Sequence, residues 1–151
     1  MKLAQSLAFI TTGSASIFIP FALANLDFQI AKVVDQELDG DGLLLACPSD
    51  NYNCECFEGG VHAAEVSEWS SGKPLASLPE NGSFSVESPA GICGSPRLDF
   101  YQESDGPWYF YVNGGDGISK GTCNSTFATM LCSHSNVYDQ LLCNSDICPS
   151  P

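Results

Sequence analysis

From Asn25 onward, apolar and polar residues alternate in short runs broken by Gly, Pro, Asn and Asp, with no heptads and no internal repeat. Short period-two runs separated by frequent turns predict an all-β fold, a small disulfide-stabilised antiparallel sandwich or barrel with little helix. Leu26, Phe28 and Ile30 alternate with polar neighbours, and Asp39-Gly40-Asp41-Gly42 turns the chain into Leu43-Leu44-Leu45. This reads as a hairpin, because Asp-Gly supplies the positive φ angles that a tight turn needs. A stronger hairpin signal follows in Arg97-Leu98-Asp99-Phe100-Tyr101, a turn at Ser104-Asp105-Gly106-Pro107, then Trp108-Tyr109-Phe110-Tyr111-Val112. Period two sends Trp108, Phe110 and Val112 to one face and Tyr109, Tyr111 and Asn113 to the other. Trp108, Phe110 and Phe100 are expected in the core, since a domain this small must bury its largest apolar groups.

Residues 82–87 read as a further strand through Phe84 and Val86, and residues 126–131 with 137–142 as a last hairpin around Ser133-His134-Ser135-Asn136. Residues 61–69 are open between two states: His62-Ala63-Ala64-Glu65 favours a helix, while the flanks look extended. Residues 70–78 and the tail, 144–151, read as loops held by neighbouring disulfides.

Ahead of this pattern the chain is different. Lys2 precedes apolar residues 7–10 and 17–23, and the small-x-small ending Ala22-Leu23-Ala24 places a cut before Asn25. That layout predicts a secretory signal peptide over residues 1–24, leaving 25–151 as a single disulfide-rich β domain. The polar break at residues 11–16 and Pro20 argue against a membrane anchor.

All eight cysteines, Cys47, Cys54, Cys56, Cys93, Cys123, Cys132, Cys143 and Cys148, fall after the predicted cut, and an even count in an exported chain predicts four disulfides. Spacing does not give the connectivity. Cys54 and Cys56 are too close to bridge each other, so each is expected to reach a distant partner. The zinc alternative lacks the usual two-residue ligand spacing. Five basic against eighteen acidic residues give a net charge of −13, which disfavours nucleic acid and anionic membrane as partners. Two sequons, at Asn81 and Asn124, predict N-glycosylation; the second directly follows Cys123, which predicts the less accessible acceptor.

Asp35-Gln36-Glu37-Leu38-Asp39-Gly40-Asp41 spaces carboxylates as a calcium loop does, but Ala46 stands at the twelfth position, where the bidentate glutamate belongs. A solvated hairpin turn is the expected role. A carboxylate pair could serve a glycosidase, although no spacing nominates one. There is no Gly-x-Ser-x-Gly, and His62 and His134 lack a partner that the sequence can place. No catalytic residue, metal or cofactor is therefore assigned. The feature that asks for a function is the set of outward tyrosines: Tyr101, Tyr109 and Tyr111, beside Asn113, could stack on a sugar ring and bond its hydroxyls, or anchor a protein.

The signal ending, the eight cysteines, the acidic balance and the run from Cys93 to Cys148, with Gly91-Ile92-Cys93-Gly94 and Tyr138-Asp139-Gln140-Leu141-Leu142-Cys143, resemble small secreted cysteine-rich, effector-like proteins of filamentous fungi. The resemblance is one of layout and assigns no residue a role. It implies a non-enzymatic extracellular monomer that presents a surface to a host protein or a cell-wall polysaccharide. The alternative is a small secreted hydrolase acting on polysaccharide through two carboxylates.

Overall fold

The computed structural model describes residues 28–37, 40–60, 62–80 and 82–148. The predicted export signal with its Ala22-Leu23-Ala24 ending, Leu26, Asp39 of the first turn, the sequon residue Asn81 and residues 149–151 of the tail lie outside the described residues.

The described residues form nine strands in chain order: β1 (Phe28–Asp35), β2 (Leu43–Pro48), β3 (Ala64–Glu68), β4 (Ser83–Ile92), β5 (Ser95–Gln102), β6 (Trp108–Val112), β7 (Gly121–Ser125), β8 (Thr129–Leu131) and β9 (Ser135–Ser145). Among the described residues helix is confined to a 3-10 turn, Ser49–Asn51, and the single-turn α1 (Cys54–Phe57), whose first turn is capped by the Asn53 side chain accepting from the Cys56 N–H. The strands pair antiparallel in the order β1-β2-β3-β4-β5-β6-β7-β9, and β9 returns onto β1 from Phe28↔Cys143 to Asp35↔Ser135. The sheet is therefore a closed, eight-stranded barrel, which decides between the two architectures the alternation allowed. β8 lies on the same edge of β9 as β7 and acts as its continuation. Between them the Thr126 N–H bonds the Gln140 carbonyl at 3.0 Å and the Asp139 N–H bonds the Ala128 carbonyl at 2.9 Å.

One stretch that the sequence left open is settled, and the reading of the tail is corrected. Residues 64–68 are a strand, because their even positions, Ala64 and Val66, complete the inner wall and outweigh local helix preference. The tail is no loop at its start: Asn144 and Ser145 extend β9 and pair with Thr122 and Gly121.

Period two fills the interior. Phe84 and Val86, Leu98 and Phe100, and Trp108 and Phe110 point inward from β4, β5 and β6, all at most 3% exposed. Phe84 and Phe100 stack at 4.5 Å, Phe28 meets the Phe110 ring edgewise at 5.4 Å, and Trp108 leans on Phe84 at 4.8 Å. An eight-stranded barrel is just wide enough to be filled by its own side chains, and this aromatic cluster fills it. Where β2 and β3 share only two register pairs, the loop 73–78 wedges in. The Leu44 N–H bonds the Leu75 carbonyl at 2.7 Å, and the Leu75 N–H bonds the Val66 carbonyl at 2.9 Å. Leu75 and Leu78 thereby join the core.

All eight described cysteines are paired: Cys47–Cys56, Cys54–Cys132, Cys93–Cys148 and Cys123–Cys143. Cys54 does reach a distant partner, 78 residues away, whereas Cys56 bonds a cysteine only nine residues back. The reason is local: the chain between β2 and α1 doubles back on the barrel's outer wall. There Tyr52 and Phe57 cover Ala31 and Val137 as a second small core.

Candidate functional site

Strand alternation that buries Leu98 and Phe100 puts Arg97, Asp99 and Tyr101 on the outside of β5. On β6 the same rule turns Tyr109 and Tyr111 outward, opposite Tyr101 and Asp99 respectively. Three of the four residues singled out from the sequence are therefore neighbours on one outer face. Tyr101 and Tyr111 meet at 5.7 Å with rings inclined by 73°. Trp69, immediately after β3, meets Tyr101 from the other side at 6.1 Å and 63°. Trp69 stays 45% exposed, and Tyr101 and Tyr109 37% each, so the face is aromatic and open to solvent.

A polar network underlies the rings. Arg97 donates through Nε to Asp99 Oδ1 at 2.8 Å, through one terminal nitrogen to Glu87 Oε1 at 2.7 Å, and through the other to Ser85 Oγ at 2.8 Å and the Trp69 carbonyl at 3.1 Å. Asp99 also accepts from Ser85 Oγ at 3.0 Å and from Asn113 Nδ2 at 2.7 Å. Burial pushes the Asp99 carboxyl up, but hydrogen bonds from Asn113, Arg97 and Ser85, with the Arg97 charge, outweigh it and hold the group below the usual aspartate range. Burial and the Asp99 charge push the Tyr101 phenol up, so it remains a hydroxyl. Asn113, the fourth predicted residue, thus gives its amide N–H to Asp99 and holds the network rather than standing free.

Beside the rings runs an open groove of about 580 Å³ along β5. Its lining reaches from Ser83, Gln102 and Glu103 at one end, past Tyr101 and Tyr111, to the glycines at 114–117. The Tyr101 and Tyr111 hydroxyls have no hydrogen-bond partner among the described residues, and Gln102 donates to the Gly106 carbonyl while leaving its oxygen free. Gly114 and Gly117 adopt φ angles of 69° and 75°, and nothing stands over their α-carbons, so the groove floor there is bare backbone.

The remaining candidate chemistry is dispersed. His62 is exposed and precedes β3, so it shares no helix face with Glu65. The His134 backbone N–H, at 2.7 Å, and the Ser133 and Ser135 hydroxyls all donate to Glu58, and the first of these does most to lower that carboxyl. Asp139 is 7% exposed and accepts from the Tyr52 hydroxyl; burial raises its carboxyl above the usual range. The two buried carboxylates, Asp99 and Asp139, stand three strands apart around the barrel and flank no common space. Asp35 accepts from the Glu37 N–H at 2.7 Å within the first hairpin connection. Among the described residues no group of three or more His, Cys, Asp or Glu side chains is arranged to hold a metal ion. Nor is any helix among them long and apolar enough to cross a membrane. Asn124 is exposed on the outer face of β7, contrary to the expectation from its neighbour: Cys123 points inward, so the next residue points out.

The alternation in the sequence identified the tyrosines but missed Trp69, Arg97, Asp99 and Ser85. Arg97-x-Asp99-x-Tyr101 was the available signal, since a spacing of two on a strand places all three on one side. No protein-family model, curated protein or solved structure matches the chain.

Proposed function

We propose that this is an exported, non-enzymatic binding protein that engages extracellular polysaccharide through the outer face of β3 to β6. The observation that carries the reading is the position of Trp69, Tyr101, Tyr109 and Tyr111. The barrel interior is already packed with Phe28, Phe84, Phe100, Trp108 and Phe110, so these four rings are left over from folding, with Trp69, Tyr101 and Tyr109 exposed and Tyr111 half-buried. Flat aromatic faces with free hydroxyls are suited to the apolar faces and hydroxyl edges of sugars. Four disulfides support an oxidising compartment, which agrees with the predicted signal at residues 1–24, and the exposed Asn124 is a suitable glycan acceptor.

The test is retention of the purified mature protein on a panel of insoluble cell-wall polysaccharides, with release of reducing sugar followed in parallel. Retention without turnover, lost in Tyr101→Ala and Trp69→Ala, is expected. Turnover abolished by a single Asp or Glu substitution would replace the reading with a hydrolase. Capture of one secreted host protein with no glycan retained would replace it with an effector surface.

A further inference from the structure

We infer that the groove along β5 takes a single, uncharged glycan chain from solution, and neither the flat face of a crystalline polysaccharide nor a polyanion. The inference rests on the glycan-binding reading above and names its ligand class.

Ring geometry supplies the first argument. A crystalline polysaccharide presents parallel chains in a plane, and aromatic side chains can contact that plane together only if they are coplanar. Here Trp69 is inclined to Tyr101 by 63°, and Tyr101 to Tyr111 by 73°. Tyr101 therefore cannot lie flat on such a surface together with either neighbour. Inclined rings instead suit an isolated chain, whose successive sugars turn relative to one another and offer their faces in different directions. The groove's volume of about 580 Å³ lies within the roughly 300–1,000 Å³ of small-molecule sites, enough for a few sugar units.

Charge supplies the second. Arg97, the cation beneath the rings, is taken up by Asp99, Glu87, Ser85 and the Trp69 carbonyl. Four of its five N–H donors are engaged and its charge is matched by two carboxylates, which leaves little to meet a uronate or sulfate, and the whole chain carries −13. Of the carboxylates in the lining, Asp99 is occupied by three donors, and Glu103 stands at one end, where it adds to the repulsion of a uronate or sulfate. Besides Glu103, what the groove presents are neutral donors and acceptors: the Tyr101 and Tyr111 hydroxyls, the Gln102 oxygen and the bare backbone at Gly114 and Gly117. These match sugar hydroxyls.

The experiment is calorimetric titration of the mature protein with short soluble oligomers of neutral glucan, mannan, xylan and chitin. Polyuronate and chitosan oligomers are titrated alongside, and depletion assays use the crystalline parent polymers. A neutral oligomer is expected to bind, with affinity unchanged within about twofold in roughly 1 M salt, where the Debye length is only about 3 Å. Tyr111→Ala is expected to weaken it by about tenfold, while Tyr111→Phe, which keeps the ring, loses distinctly less. Binding confined to crystalline polymer, or to a charged oligomer and abolished by salt, overturns this inference and leaves the broader reading standing. Binding to no glycan in any form overturns both.

Discussion

At the scale of single residues, two buried carboxylates on one barrel make opposite predictions about pH. Asp99 has a lowered carboxyl, so the stability it contributes is present above the ordinary aspartate range near 3.9 and is lost as pH falls through its depressed value. Asp139 has a raised carboxyl, so its contribution is present below the ordinary range and is lost as pH rises through the raised value. Asp99→Asn is accordingly expected to lower stability by about 2 kcal/mol at pH 7, where Arg97 loses its charged acceptor, and by less in acid. Asp139→Asn removes a desolvated charge and keeps an acceptor for the Tyr52 hydroxyl, so it is expected to raise Tm at pH 7 and leave it unchanged near pH 3. Thermal melts of both variants at the two pH values check this; parallel pH profiles would contradict it. A third residue is purely steric. A β-carbon at Gly121 would fall on the Asn144 carbonyl and the Phe110 ring, so Gly121→Ala should reduce stability by about 3 kcal/mol. The measurement is a shift in urea midpoint at unchanged slope.

At the scale of elements, the disulfides that fasten the excursion between β2 and β3 differ in what they constrain. Cys47–Cys56 closes nine residues, whereas Cys54–Cys132 closes 78 and ties α1 to the β8–β9 turn. In the chain-entropy account the first stabilises by about 2.6 kcal/mol and the second by about 4.5 kcal/mol. Cys54→Ser with Cys132→Ser should therefore lower the denaturation midpoint further than Cys47→Ser with Cys56→Ser, by roughly 2 kcal/mol in free energy. Equal losses would mean that both act only by packing α1 on Ala31 and Val137. The elements also show what a sequence can and cannot reveal. The β5–β6 hairpin was legible because Phe100, Trp108 and Phe110 alternate with Tyr101, Tyr109 and Tyr111, and both faces of that alternation carry meaning. β7 escaped notice because Gly121-Thr122-Cys123-Asn124-Ser125 has one apolar residue, and that residue's burial comes from its bond to Cys143 across the β7–β9 ladder. The outer aromatic face was half legible: Tyr101, Tyr109 and Tyr111 follow from period two. Trp69 joins them only because Arg97 holds its carbonyl and β3 pairs with β4, contacts separated by tens of residues.

At the scale of the whole molecule, closure depends on β9, the one strand that contacts β1, β7 and β8 together. A two-sheet sandwich and a closed barrel share the same local alternation, so the choice between them lies in the pairing of the last strand with the first. That contact spans more than a hundred residues, and no local pattern encodes it. Its fastening is internal. Cys123 and Cys143 are fully buried register partners inside the barrel, and Cys47 and Cys56 are also at 0% exposure, while Cys54, Cys132, Cys93 and Cys148 are partly exposed. Thiol–disulfide exchange requires access of a thiolate to sulfur, so burial sets the order of reduction. Under mild reductant without denaturant, Cys54–Cys132 and Cys93–Cys148 are expected to open first and the barrel to persist. Cys123–Cys143 should open only with global unfolding, because exposing it means parting β7 from β9. Timed reduction followed by alkylation and peptide mass mapping, with near-ultraviolet circular dichroism on the same samples, reads the order and the fold together. Early alkylation of Cys123 or Cys143 while the aromatic signal stays native would mean that the β7–β9 seam opens locally, and the closed barrel would then owe its integrity to the aromatic core alone.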